Sequence, residues 1–326
     1  MSSGPSTALL MIQKDLVPVN AVIGFLKPDG HWPPVLYDLG YRLSAIEQPV
    51  RVTENGILEV DVIGHSRRRN HGLLIEGKSG ANADAPQAGK YAKASAEDVQ
   101  RTGSVSFRTP ATATVEPVYV CLEEDSARII TGVSKSAPGT PVVAMGSRAV
   151  LAYGKFHDGD LTAVFSEGVG LPPLEEVPRY HVASQNTPKW DIARGVFATV
   201  VAHLRRGQAA VPVSEIAEET FPMWNVMGTD LRRYLGASVR NILAELSKHE
   251  LSGLIRLDSS GPVARAELLL DAESLRGDPN VRTRRFQRLA KIGSDYIQRL
   301  KERKGFEEFQ RSQNYELFPE DEAGNG

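Results

Sequence analysis

Two short stretches decide how this chain is read: Ile57-Leu-Glu-Val-Asp-Val-Ile63 and, ten residues on, Leu73-Leu-Ile-Glu-Gly-Lys78. The first alternates apolar and polar residues with period two, as a strand with one buried face must. Asn55-Gly56 just before it supplies the positive φ angles of a two-residue hairpin turn, so Tyr41-Arg-Leu-Ser-Ala-Ile-Glu47 and Pro49-Val-Arg-Val52 read as the preceding strand. The polar run Gly64-His-Ser-Arg-Arg-Arg-Asn-His71 joins the two quoted stretches as a second hairpin. Alternation then puts Glu76 and Lys78 on one face, and the antiparallel return can bring Asp61 beside them.

Working outward, Asp84 can cap a helix with Pro86 in its first turn, running through Gln87 and Tyr91 to about Val99, with Gly103 as its stop. Pro117–Leu122 reads as a buried strand, Asp125–Val133 as a short helix and Pro141–Met145 as another strand. From Leu36 onward the order is helix or loop, three antiparallel strands, helix, strand, helix, strand: an α/β unit assigned to residues 1–168. Residues 169–189 are rich in Gly, Pro and polar residues and read as a linker. Over 190–275, helical periodicity at Asp191–Leu204, Ser214–Thr220 and Thr229–Lys248 is followed by a hairpin turning at Asp258-Ser-Ser-Gly-Pro262. Three helices and a terminal hairpin resemble a winged helix-turn-helix. Residues 276–315 form a basic helical segment, with nine Lys or Arg between Arg282 and Lys304 against Asp295 and Glu302, and the acidic 316–326 reads as a disordered tail.

The 326 residues carry 38 Lys plus Arg against 40 Asp plus Glu, a net charge of -2, so basic faces must be local. A single cysteine, Cys121, excludes a disulfide framework and every four-cysteine zinc or iron–sulfur site. It is expected in the core. No apolar run reaches the ~20 residues of a membrane span, and the start lacks a signal peptide's features. A cytoplasmic protein is expected. No P-loop, HExxH or Gly-x-Ser-x-Gly occurs.

Two carboxylates on adjacent strands repel each other, and a hard divalent cation between them relieves that repulsion; Mg²⁺ tolerates few protein ligands and keeps its waters. The pattern D-x14-E-G-K resembles the PD-(D/E)XK nuclease superfamily, whose restriction-endonuclease-like core runs αβββαβ, with Val60-Asp61 where the family often has Pro-Asp. Gln87-Ala-Gly-Lys-Tyr91 matches the Q-x-x-x-Y motif of the RecB-like branches; residues at i and i+4 share a helix face. The resemblance covers residues 32 to 145. It implies metal binding by Asp61 and Glu76, a catalytic ammonium at Lys78, and site-organising or DNA-contacting roles for Gln87 and Tyr91. The family's first helix often adds an acidic ligand; among Asp15, Asp29 and Asp38, Asp38 is the choice.

The expectation is a Mg²⁺-dependent (or Mn²⁺-dependent) DNA endonuclease in bacterial defence, restriction, mobile-element processing or repair. Arg67, Arg68 and Arg69 are expected beside the site on phosphates; Arg232, Arg233 and Arg240 on a recognition helix; Arg284, Arg285 and Arg288 along the basic segment. Nothing in these residues separates DNA from RNA. Oligomeric state is left open, although cutting both strands with one site per chain usually needs a homodimer, and a motor or regulator would be encoded separately. The alternative is a catalytically silent nuclease fold that binds DNA or acts as a scaffold through its winged helix.

Overall fold

The computed structural model describes residues 16–52, 56–79, 85–173, 177–249, 251, 253–261, 263–269, 287 and 289–304. The chain divides into two compact units, one holding residues 16–186 with Phe221–Leu235, the other Thr187–Thr220 and the residues from Gly236 onward.

The first unit is mixed α/β. Helix α1 (Leu16–Phe25) and the short α2 (Val35–Asp38) precede β1 (Arg42–Val52), β2 (Gly56–Ser66) and β3 (His71–Lys78). Then come α3 (Ala85–Tyr91), α4 (Ala96–Gln100), β4 (Thr114–Leu122), α5 (Ser126–Ser134), β5 (Val142–Met145), β6 (Ala149–Tyr153), α6 (Gly159–Glu167) and β7 (Val169–Gly170). The seven strands form one sheet in sequence order. The first three are antiparallel, β3, β4 and β5 run parallel, and β6 and β7 return antiparallel.

Strand β3 is central, and its consecutive Leu73, Leu74 and Ile75 are all buried because both faces of the sheet are covered. One face packs Val62, Leu73, Ile75, Val118 and Val120 under Phe25, Leu26, Trp32 and Phe165. The other packs Val60, Leu74, Tyr119 and Cys121 under Ala88, Tyr91, Val99, Ile129 and Val133. Truncating a side chain such as Phe25, which is fully buried, costs about 3–5 kcal/mol. Gly24 lets α1 press on the core: a Cβ there would stand 2.2 Å from Trp32. Burial pushes the Cys121 thiol up to about 12, as suits a core position.

Two expectations need correction. The helix expected from Asp84 to Val99 is two, because Ser95 starts α4 with a capping box, its hydroxyl accepting from the Asp98 N–H while Asp98 accepts from the Ser95 N–H. The turn residue Asn55 and the cap expected at Asp84 lie outside the described residues, although Gly56 does have a φ of +84°. Finally, much of the linker expected over 169–189 is built into the unit: Val169–Gly170 is a sheet strand, and Tyr180–Ala183 are buried. Asn20 in α1 fastens that segment, its amide donating to the carbonyls of Leu16 and His181 at 2.8 and 2.7 Å and its oxygen accepting from the N–H groups of Tyr180 and His181 at 2.7 and 2.8 Å. An Asn competes with helical backbone for hydrogen bonds; here it satisfies an extended segment instead.

The second unit holds α7 (Lys189–Arg206), β8 (Ala210–Pro212), α8 (Val213–Thr220), the part of α9 (Thr229–Lys248) from Gly236 on, β9 (Ile255–Asp258) and β10 (Arg265–Leu268), with a helix over residues 289–304. Its three strands form an antiparallel sheet in the order β8-β10-β9. The last helix buries Leu289, Tyr296 and Leu300, and Gly293 admits Phe197 of α7, where a Cβ would come within 2.4 Å. Lys291, Arg299, Lys301, Arg303 and Lys304 lie on its exposed side. Arg284, Arg285, Arg288 and the tail expected at 316–326 lie outside the described residues. Among the described residues, no helix is long and apolar enough to cross a membrane.

Candidate active site

The β2–β3 register runs from Ser66 opposite His71 to Val62 opposite Ile75, so the next position sets Asp61 against Glu76. The ladder stops there, and the Asp61 side chain takes over from backbone: its Oδ2 accepts from the Gly77 N–H at 2.6 Å. Glu76 is buried, with Oε1 accepting from Lys78 Nζ at 2.7 Å and Gln87 Nε2 at 2.8 Å. Lys78 also donates to Gln87 Oε1 at 2.6 Å. Tyr91, four residues beyond Gln87 on the same face of α3, donates to Glu76 Oε2 at 2.5 Å, with the Glu59 carbonyl 2.9 Å from its hydroxyl. Asp61, Glu76, Lys78, Gln87 and Tyr91 thus converge from two strands and one helix.

Electrostatics mark this group as costly. Burial and the Glu76 charge drive Asp61 well above the usual carboxylate range, with Glu47 adding to the rise; the Gly77 N–H and Lys78 offset this only in part. Burial and the two carboxylates likewise raise Tyr91, which keeps its proton and stays a donor.

Glu47 was not singled out from sequence, yet it belongs here. The β1–β2 register pairs Ile46 with Val62 and Gln48 with Val60, which sets Glu47 beside Asp61. Three carboxylates therefore occupy one row across β1, β2 and β3. Glu47 has a φ of +45°, a left-handed conformation that costs a non-glycine residue on the order of 1–3 kcal/mol and recurs at functional sites. Both strands change face at this row: Ile46 and Val62 join one core, while Val50 and Val60 join the other. Its neighbours hold the kink. His181 Nε2 lies 2.9 Å from Glu47 Oε1, and the Gly228 N–H donates to the Ile46 carbonyl at 2.7 Å. A Cβ on Gly228 would stand 2.2 Å from the Glu47 carbonyl oxygen, so only glycine fits.

The basic turn lies elsewhere. Arg67, Arg68 and Arg69 sit between the ends of β2 and β3, six residues from Asp61 and so roughly 20 Å along the strand. The expectation that they flank the site is corrected: it treated the hairpin tip and the Glu-Gly-Lys end as one place. Arg69 is moreover engaged, its Nη1 donating to both Asp158 oxygens at 2.9 and 2.7 Å and its Nη2 to Asp160 at 2.7 Å. Tyr41 donates to Asp158 at 2.9 Å and stands 2.7 Å from His71 Nδ1. Against the upward push of burial, the hydrogen bonds from Tyr41 and the Asp160 N–H, with the Arg69 charge, hold Asp158 below its usual range. Asp38 is corrected too. It is exposed at the end of α2, just before the end of β1 that pairs with His65, roughly 17 Å along the strand from Glu47. In α9, Arg233 is exposed and donates to Asp230 at 2.9 Å, Arg240 is exposed and Arg232 is half-buried.

The donor set suits a hard cation: a close carboxylate pair, one member held by backbone and the other by neutral donors and an ammonium. Compared with known proteins, residues 14–131 are similar to the MJECL32 domain family. That match includes every residue of the cluster from Glu47 to Tyr91. No curated protein and no solved structure matches the chain.

Proposed function

We propose that the first unit is a divalent-metal-dependent nuclease of the PD-(D/E)XK type, acting on DNA. The observation that carries this reading is the convergence of Asp61, Glu76 and Lys78 from adjacent strands under Gln87 and Tyr91 of the next helix. The order helix, three antiparallel strands, helix, parallel strand supports it, being the αβββαβ order of that superfamily.

Asp61 and Glu76 would hold Mg²⁺ or Mn²⁺, with Glu47 the adjoining acid in place of Asp38. Such an ion, when bound, lowers the pKa of a coordinated water and offsets charge on a phosphate. The chain's own residues do the rest. Lys78, anchored between Glu76 and Gln87, presents a positive charge that can orient an attacking water or balance the pentacovalent phosphate. Tyr91 fixes the Glu76 rotamer, and the Gly77 N–H fixes Asp61. In the second unit, helices with a three-stranded sheet in the order β8-β10-β9 suit a winged helix, whose Arg240 would meet the nucleic acid backbone; Arg232 and Arg233, in the part of α9 that belongs to the first unit, are proposed for the same role.

The test is cleavage of supercoiled plasmid by purified protein with Mg²⁺, Mn²⁺ or EDTA. Metal-dependent nicking or linearisation that vanishes in Glu76→Ala is the expected result. One observation favours a second reading, a silent scaffold: both Glu76 oxygens are already engaged within the protein. Retained DNA binding without cleavage, and without heat of Mg²⁺ binding in calorimetry, would establish that reading and sink the first.

A further inference from the structure

A different set of ligands lies within the second unit. His203, in the last turn of α7, is fully buried. Its Nδ1 pairs with Gln208 Oε1, an oxygen that only accepts, so Nδ1 carries the ring hydrogen. In the neutral ring Nε2 then keeps a lone pair. Nε2 is buried, has no hydrogen-bond partner, and points at Glu219 Oε2 from 3.5 Å. Glu215 and Glu219 are four residues apart on α8 and share its face. One ligand atom from each of His203, Glu215 and Glu219 lies within 4.8 Å of the others, which no other trio of His, Cys, Asp and Glu achieves among the described residues.

We propose that His203, Glu215 and Glu219 form a binding site for a divalent d-block cation of the zinc class, clamping the end of α7 to α8. A buried nitrogen lone pair facing a carboxylate oxygen is acceptor against acceptor, and a cation between them resolves the conflict. The spacing fits: two tetrahedral ligands of Zn²⁺, at bond lengths of about 2.0–2.2 Å, stand about 3.4 Å apart. Imidazole nitrogen with two carboxylates selects zinc over Mg²⁺, which prefers oxygen alone. Gln208 supplies the outer hydrogen bond that ligating histidines require to fix tautomer and ring orientation.

Arg206 bears on the same site. Its Nη1 and Nη2 donate to Glu219 Oε1 and Oε2 at 3.1 and 2.5 Å. A carboxylate has about four lone-pair positions, so Glu219 can keep Arg206 on one oxygen and ligate through the other. The guanidinium competes with the cation for charge, and its removal tightens binding.

The experiment uses the full chain carrying Glu76→Ala, which disables the Asp61 cluster, stripped with EDTA and desalted. Co²⁺ is titrated as a coloured stand-in for Zn²⁺, then displaced by Zn²⁺, with melting temperature followed in parallel. One equivalent of Co²⁺ with tetrahedral visible absorption, and a higher melting temperature with Zn²⁺, is expected. Glu215→Gln, a half-buried position that does not threaten folding, loses at least about tenfold in affinity, Gln208→Ala loses roughly 10- to 100-fold, and Arg206→Ala gains. No absorption in the Glu76→Ala chain, or equal Co²⁺ binding in Glu215→Gln, would overturn the site and leave His203 and Glu219 an ion pair only.

Discussion

Strands β2 and β3 carry a charged cluster at each end, and the two are built on opposite terms. At the turn end, Arg69 spans Asp158 and Asp160, Tyr41 adds its hydroxyl, and Asp158 is held ionised below its usual range. At the open end, three carboxylates stand in a row with one backbone residue left-handed, and Asp61 is driven above its usual range. Matched charges stabilise a fold. Crowded like charges on a strained backbone destabilise it, and persist where chemistry requires them.

The contrast can be broken at either end. The largest effect is expected at the open end, where Asp61→Ala or Glu76→Ala lowers plasmid cleavage per folded molecule roughly 10²–10³-fold; a variant that cuts normally would remove the open end from the chemistry. At the turn end, burial lowers His71 from 6.5 to about 4, opposed by Asp158. Between those values the unfolded chain binds the proton that the fold refuses, so stability falls as pH drops from about 6.5 to about 4. The loss is up to about 3 kcal/mol, blunted by Glu116, which burial raises and which titrates in the opposite sense. Urea unfolding across that range, with His71→Gln flattening the slope, checks it. Asp158→Ala removes one acceptor from Arg69, which keeps Asp160, and one from Tyr41, which keeps His71, and is expected to destabilise by about 2 kcal/mol while the cleavage rate of the folded fraction is unchanged; a rate defect would make the turn end part of the site. The smallest effect sharpens the comparison from the other side. Because the raised Asp61 opposes folding once pH exceeds its unfolded value of 3.8, Asp61→Asn is expected to raise the melting temperature at neutral pH by roughly 2–4 °C, whereas Asp158→Asn lowers it.

How far the sequence discloses this follows from where alternation holds. It holds along β3, so Glu76 and Lys78 could be placed on one face, and the four-residue step from Gln87 to Tyr91 could be placed over them. It fails at Glu47 and Asp61, where β1 and β2 change face together; no period-two reading could bring Glu47 to the site. The resemblance's first helix points to Asp38, yet α1 carries no acid and α2 ends in the wrong place. The position of Arg67–Arg69 was recoverable, since six residues of strand separate them from Asp61. Likewise, the composition of 169–189 suggested a linker because Gly and Pro punctuate it, while the clamp that orders part of it is a single Asn about 160 residues away.

That clamp also sets a time. His181, which orients Glu47, follows it by 134 residues, on the order of 10 s of translation at 5–20 residues per second. A nascent chain can pair β1, β2 and β3 long before Asn20 has anything to hold, so the acid row acquires its last support only when the unit is nearly synthesised. An unfinished chain would carry the acids without the geometry.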